Sequence, residues 1–566
     1  MKIFRKNIFA AVLVPLAAAL LARTIMFFQW YDSPLRYYWG VQGLDMQTNL
    51  MLGEMFYNGN LTFSPHRLIV ALVMLFNSGI NNPDAVVIIQ IILGIPTGAL
   101  VGMMILQLTG KRWWAMLSGI TAALYSPILM HECFHGKDAL SVDFAVLSLF
   151  LLFLACRKRY ALSYAVLATC SLILQIFNHL SGLTFGMLGI ILLCSGLKWN
   201  LRKITISVVA PILGLLVLAS VINGLSVGNY MPFNAPMAYI GKVTLQEDIG
   251  SSLNINDSES EKTIRILPLT ASYLKKWTMI FSPYEIPNNI NYYFIKNRLK
   301  LFNFLPGPLL LVPLSVISMI MIVISAKWRR RFALPLFFIA AYSLPLMAFY
   351  PLARYRIILC PALCMLFPYL IYATIKYYYH NKRAWGMPVL AAGIYGSILF
   401  PGYDDELLRA TDFVAFGKAQ ELKYGDKKAA EESYRAAVSY NPSYLPGIIN
   451  WTEALILNGK SSEAMPILYN YYLKYPEHKG ISYHYALSLM GCGRFIDAEK
   501  IFGSTTPPEN SLMQTLHNFY HGECLRLLGN PAEAMKKYHE ALKTADPERT
   551  AIIKKTMDAT SQSQSS

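Results

Sequence analysis

The chain is a succession of apolar runs, and their length constrains the fold before any other feature does. Runs long enough to cross a bilayer, or nearly so, fall at about 8–29, 85–108, 113–131, 139–155, 161–177, 180–197, 204–225, 303–325, 332–350, 357–375 and 385–400. A spanning helix needs roughly 20 apolar residues. Backbone polar groups in hydrocarbon must pair internally, so runs of this kind cross as helices. The expected fold is all-α: a polytopic membrane helical bundle of about 11 spans. Composition agrees, because 55% of the 566 residues are hydrophobic, which excludes an ordinary soluble globule. The first run follows "MKIFRKN" and exceeds a signal-peptide core, so it reads as an uncleaved first span. Residues 67–78 are apolar but too short to cross, and suit an interfacial helix.

Charge then orients the bundle. Six short segments that should share one side carry Lys2, Arg5, Lys6; Lys111, Arg112; Arg157, Lys158, Arg159; Lys198, Arg202, Lys203; Lys327, Arg329, Arg330, Arg331; and Lys376, Lys382, Arg383. None of the six contains Asp or Glu, which is the signature of cytoplasmic loops. This bias explains the net charge of +17 without nucleic acid as a partner. It places the N-terminus in the cytoplasm, and an odd span count places the tail outside an inner (cytoplasmic) membrane. Residues 30–84, 226–302 and everything after about 401 then face outward, and "GSSLNINDSESEK" (250–262) reads as a mobile, disordered tip. The eight cysteines show no metal-type spacing and no disulfide framework; Cys492 and Cys524, both in the tail, are the one pair open to bridging.

After residue 401 a period appears. Gly425, Gly459 and Gly493 are 34 residues apart, as are Ala430, Ala464 and Ala498; Tyr434, Leu468 and Phe502; and Pro442 and Pro476. After a two-residue insertion, Gly529, Ala534, Tyr538 and Ala541 resume the pattern. Glycine at a helix–helix turn, alanine at a crossing and an aromatic on the next unit are what stacked helix pairs require. The tail resembles the tetratricopeptide repeats, in four units over 401–560, with 561–566 expected as a disordered end. Such arrays bind proteins or peptides on a concave face, or cap a neighbouring domain. The repeat alone names no ligand.

Candidate chemistry lies on the expected outer face. "VQGLDMQTNLMLGEMFYNG" (41–59) holds Asp45 just outside the first span. Taken alone, one acid in an outer loop is a solvated charge. "LMHECFHGKDAL" (129–140) packs His131, Glu132, His135, Lys137 and Asp138 between two spans, more titratable groups than a turn needs. "YPLARYR" (350–356) sets Arg354 and Arg356 on the side that disfavours arginine. An anionic partner or snorkelling to outer head groups accounts for them. The same two readings apply to Arg23, inside the first span. Acids and cations at one depth suit a phosphate-bearing lipid, with cations on phosphate and an acid as general base.

Residues 1 to about 400 resemble the C-type-fold membrane glycosyltransferases, in the protein mannosyltransferase and aminoarabinose transferase branch. The resemblance rests on "GLDMQTNLMLGEMFYNG", "PHRLIVALVMLF", "YSPILMHECFHGKDAL", "YEIPNNINYYF" (284–294) and "ARYRIILCPAL", taken in order. It implies a polyprenyl-phosphate-linked sugar donor and inverting transfer to a protein, lipid or glycan acceptor on the outer face. It implies Asp45 as catalytic base and Glu132, Asp138 and Glu285 as supporting acids. Arg354, Arg356, Lys137 and Arg23 are the expected donor-phosphate ligands. A divalent cation (Mg or Mn) could bridge phosphate and loop acids, though no ligand spacing demands one. The family's Arg-Pro-Asn-like turn is replaced by "QIFNHLSG", with Asn178 and His179 but no arginine, so one donor contact is absent or supplied elsewhere. Two rivals remain. An O-antigen-ligase-type transferase is expected to use His and Arg in a late outer loop, and 226–302 contains no His. A non-catalytic scaffold would tolerate Asp45→Asn.

Overall fold

The computed structural model describes residues 2–57, 82–156, 161–178, 182–196, 200–214, 275–287, 290–348, 351–380, 386–397, 406–507 and 511–565. Among them every regular element is helical. The chain forms two compact units, Met1–Asp404 and Asp405–Ser566. The apolar stretch 67–78, the loop tip 250–262 and His179 lie outside the described residues.

In the first unit, α1 (Lys2–Asp32) is followed by α2 (Asp45–Tyr57), α3 (Asp84–Gly94), α4 (Thr97–Thr109), α5 (Arg112–Leu124), α6 (Ser126–Glu132) and α7 (Lys137–Ala155). Then come α8 (Ala161–Asn178), α9 (Gly182–Gly196), α10 (Pro308–Ile324), α11 (Ala333–Ala348) and α12 (Ala353–Arg356). Four helical stretches are long and apolar enough to cross a membrane: Phe9–Asp32, Asp84–Thr109, Lys137–Ala155 and Ala353–Lys376. The α5–α6 pair makes a fifth if its 41° bend is counted as one broken span.

The expected eleven full spans are therefore corrected to four or five among the described residues. Several runs do form helices, but short ones: Thr184–Ser195, Pro308–Ile324 and Ala333–Met347 fall below 18 residues. The 385–400 run yields only Gly386–Ser397. Apolar length overstated helix length where turns and breaks consume part of a run. Pro127, in the first turn of α6, marks the α5–α6 break: it has no amide to donate and α6 starts afresh after extended Tyr125.

Close approach of α1, α4 and α5 depends on small residues, as helix packing in lipid generally does. A Cβ on Gly98 would stand 2.6 Å from the Gly119 carbonyl oxygen, and one on Gly119 would stand 2.6 Å from Pro15 Cγ. A Cβ on Gly102 would reach the Ala11 carbonyl at 2.2 Å. No larger residue fits these crossings without moving backbone.

The second unit consists of four antiparallel helix pairs: α13 (Glu406–Tyr424) with α14 (Lys428–Tyr440), α15 (Leu445–Leu457) with α16 (Ser461–Lys474), α17 (Lys479–Gly491) with α18 (Phe495–Ser504), and α19 (Ser511–Leu527) with α20 (Pro531–Leu542). A last helix, α21 (Pro547–Ser565), packs on α20. The periodic glycines 425, 459, 493 and 529 sit at the turn within each pair, at φ of +75°, +77°, +75° and +80°. That left-handed geometry strains any residue with a Cβ. The periodic alanines 430, 464, 498 and 534 are fully buried. The expected disordered end, 561–566, is corrected: α21 continues to Ser565, where Ser561 Oγ donates to the Met557 carbonyl at 2.9 Å and Thr560 is buried. All eight cysteines are free thiols, so Cys492 and Cys524 are not bridged. Cys524 instead donates from Sγ to the Phe495 carbonyl at 3.2 Å.

Candidate functional site

Asp45 opens α2, directly after Gly43 at φ +87° and Leu44. A carboxylate in a first helical turn faces the unpaired amides there and is favoured by the helix dipole. Lys137 and Asp138 open α7 after the extended residue Gly136. Arg354 lies in α12, the start of the 353–376 span. Three chain reversals thus deliver three charged helix starts to one end of the bundle.

There Arg354 donates from its guanidinium to Asp45, across 309 residues of sequence. Its other terminal nitrogen donates to Tyr355 Oη at 2.6 Å. Asp45 remains 56% exposed and Arg354 24% exposed, so the pair faces solvent on one side. Lys137 feels the charges of Asp138, Arg354 and Asp45 together. His131 Nδ1 stands 3.7 Å from Asp138 Oδ2. The cluster therefore holds two cations, two acids and one imidazole, drawn from α2, α6, α7 and α12.

Hydrogen bonds fix the loop that carries the α6–α7 part. Asn49 of α2 donates to the His135 carbonyl at 2.8 Å, and Gln90 of α3 donates to the Phe134 carbonyl at 2.9 Å. His135 Nε2 reaches the Pro83 carbonyl at 2.6 Å, which requires the proton on Nε2. Burial holds the His135 imidazole below its ordinary pKa, against the opposing pull of that carbonyl.

Two of the expected phosphate ligands are already committed elsewhere. Arg356 is buried and donates to the carbonyls of Met279, Ser282 (3.2 Å) and Tyr284 (2.9 Å) and to Glu285 Oε2 at 3.1 Å. It clamps the 279–285 segment to the 353–376 span rather than lining an open cleft with Arg354. Glu285 is its buried counter-ion. Burial pushes that carboxyl up from its ordinary range, and Arg356 opposes the rise. Arg23 does not snorkel: it is 1% exposed and donates to Glu132 Oε1 at 2.6 Å and to the Ala123 carbonyl at 3.1 Å. Glu132 is likewise inward, so it supports the bundle and does not join Asp45.

Some residues of this end were not singled out from sequence. Arg36 donates to Asp84 Oδ2 at 2.9 and 2.5 Å and lies 3.9 Å over the Tyr31 ring, tying the segment after α1 to α3. Asp143, six residues beyond the α7 start, accepts from Thr97 Oγ1 at 2.8 Å and interacts with both Glu132 and Arg23. An acid inside an apolar run was the available signal for Asp143. Among the described residues no group of three or more His, Cys, Asp or Glu side chains could hold a metal ion.

No family model matches the chain, and no curated protein matches it. One solved structure, described as MamA AMB-1 C2221, aligns over 31% of this chain and 98% of its own, at 15% identity and a TM-score of 0.19. At that score the likeness carries no argument. The helical repeat stands on its own four helix pairs.

Proposed function

We propose that the chain is an integral membrane glycosyltransferase of the C-type-fold class, with a tetratricopeptide tail, using a polyprenyl-phosphate-linked sugar at the Asp45 end of the bundle. The observation that carries this reading is the convergence of Asp45, Lys137 and Arg354 from helix starts far apart in sequence. An exposed carboxylate beside two cations is the minimum for transfer from a phosphate leaving group. The acceptor hydroxyl or amine attacks the anomeric carbon, forming the new glycosidic bond. Asp45 takes the acceptor proton, and the carbon–oxygen bond to the lipid phosphate breaks. The phosphate leaves with the electron pair, its charge met by Arg354 and Lys137.

Arg354 rests on Asp45. Donor phosphate competes for the same guanidinium, and its arrival frees the carboxylate to act as base. Arg356, Arg23, Glu132 and Glu285 serve by position: they brace the two helices and the loop that bring Asp45, Lys137 and Arg354 together. Lys111, Arg331 and Lys376 lie at the other end of the helices, which supports an inner-membrane orientation with the Asp45 end outside. The repeats then present a protein acceptor or recruit a partner.

The test is sugar transfer from synthetic polyprenyl-phosphate donors by the purified full chain, comparing wild type with Asp45→Asn. Loss of a general base predicts a drop of about 10²–10⁴-fold. Equal rates would end this mechanism.

A further inference from the structure

The end of the bundle remote from Asp45 carries a second charged constellation. Lys111 lies between α4 and α5, Arg331 ends the short helix Ala326–Arg331, and Lys376 ends the Ala353–Lys376 span. Connectivity places all three at one end. The α5–α6 pair runs from Lys111 to the loop before Lys137, α11 runs from Arg331 towards Arg354, and 353–376 runs from Arg354 to Lys376. The last of these has 24 residues, so the two ends lie about 36 Å apart, close to a bilayer's thickness.

Two of the three cations lie over one aromatic cluster, and the charge of Lys376 is felt at Lys111. Trp114 packs against Trp328 (5.5 Å between ring centres), Phe332 (5.7 Å), Tyr369 (6.1 Å) and Tyr372 (5.8 Å). Lys111 Nζ lies 3.5 Å over the Tyr372 ring, and the Arg331 guanidinium 5.4 Å over Trp328. Arg331 and Lys376 are exposed and Lys111 half-buried. Burial, then repulsion from Lys376 and Arg331, lowers the Lys111 pKa, and no carboxylate opposes that. Among the described residues no ion pair joins any of the three to an acid, and residues 109–116, 325–333 and 374–383 contain none.

Like charges held together without a counter-ion mark a site that an external anion completes. Tyr372, half-buried beside them, suits the membrane–water boundary, where tyrosine is enriched. We propose that Lys111, Arg331 and Lys376, on the Trp114–Trp328–Tyr372 platform, form a binding site for the phosphate of an anionic phospholipid in the leaflet at that end. The head-group phosphate sits among the three cations and the acyl chains lie along the apolar helix faces. A soluble phosphate lacks the second contact, so the site selects lipid. The proposal does not depend on the glycosyltransferase reading.

The experiment uses full-length protein in neutral detergent. Phosphatidylglycerol, phosphatidylcholine or inorganic phosphate is added, and bound lipid is read by native mass spectrometry beside thermal stability. Wild type should retain phosphatidylglycerol and gain stability from it, with little response to phosphatidylcholine or inorganic phosphate. Lys111→Gln/Arg331→Gln/Lys376→Gln should lose this response, at about fivefold in affinity per cation removed. Lys111→Arg/Lys376→Arg keeps the charge and should retain it. The exposed single change Lys376→Gln gives the same reading, at one fivefold step, if the triple variant does not fold. Undiminished phosphatidylglycerol binding in the triple or single variant would overturn the site. An equal effect of inorganic phosphate or phosphatidylcholine would overturn the lipid assignment.

Discussion

The buried Arg23–Glu132 pair makes an asymmetric prediction. Both side chains are 1% exposed, and they meet at 2.6 Å within the bundle. Charge centres roughly 4 Å apart attract by about 4 kcal/mol at an effective dielectric near 20, before desolvation is subtracted. Removing one partner of such a pair strands the other, at about 3–5 kcal/mol. The two removals differ here, because Asp143 interacts with both Glu132 and Arg23. Arg23→Met leaves buried Glu132 and half-buried Asp143 interacting with no cation between them. Glu132→Gln leaves Arg23 with Asp143 and keeps an oxygen in place to accept from it. Arg23→Met should therefore cost at the upper end of the range, and Glu132→Gln about 1–2 kcal/mol less. Arg23→Met/Glu132→Met should recover much of the loss, since an apolar replacement strands no charge on either side. Thermal unfolding of the detergent-solubilised chain, read by intrinsic fluorescence, gives the order. A larger loss for Glu132→Gln than for Arg23→Met would refute the role given to Asp143. Additive single losses in the double variant would refute the pair itself.

Other outcomes follow from the same geometry. Arg354→Gln should leave the fold intact while lowering transfer by about 10²–10³-fold, whereas Arg356→Gln should destabilise by about 3–5 kcal/mol, because buried Glu285 loses its cation; activity and melting measured on both variants separate the roles. Gly417→Ala should destabilise the repeat unit by about 1–3 kcal/mol, since its Cβ would stand 2.4 Å from Tyr434 Cε1, and Tyr434→Leu should relieve the clash in a denaturation series. Burial pushes buried His484 down to about 4. Its stabilising share is complete above the unfolded value of about 6.5 and is lost as pH falls towards 4, by about 2 kcal/mol at pH 5, and His484→Gln should flatten that part of the pH–stability curve.

The repeats were legible because their period is a packing rule written in single residues. Glycine recurs where φ must be positive, alanine where helices touch, and each can be counted along the chain. Span number was less legible because hydrophobicity measures solvent preference, not helix continuity. The 113–131 run is evenly apolar, yet it breaks at Tyr125–Ser126, where Ser126 donates its amide to the Pro306 carbonyl at 3.0 Å and its hydroxyl meets Tyr292 Oη at 2.7 Å. Those partners are some 170 residues away and leave no local trace. The last helix misled in the opposite sense: "ATSQSQS" is polar enough for disorder, but packing on α20 keeps it helical.

The charged residues divide by the same logic. Sequence singled out Asp45, Glu132, Lys137, Asp138, Glu285, Arg23, Arg354 and Arg356 as candidate site residues, and could not say which would be used up in holding the others. Burial decides it. Arg356 and Glu285, like Arg23 and Glu132, are 4% exposed or less and pair with each other, so their charges are cancelled inside the protein. Asp45 and Arg354 pair as well, but at a surface where water or a ligand phosphate can replace either contact. A buried pair resists exchange, because separating it strands two charges in an apolar medium. An exposed pair exchanges readily, because solvent and salt already weaken it. The residues most able to meet a phosphate ester are therefore the less tightly held ones, and the fixed pairs behind them keep those few in register.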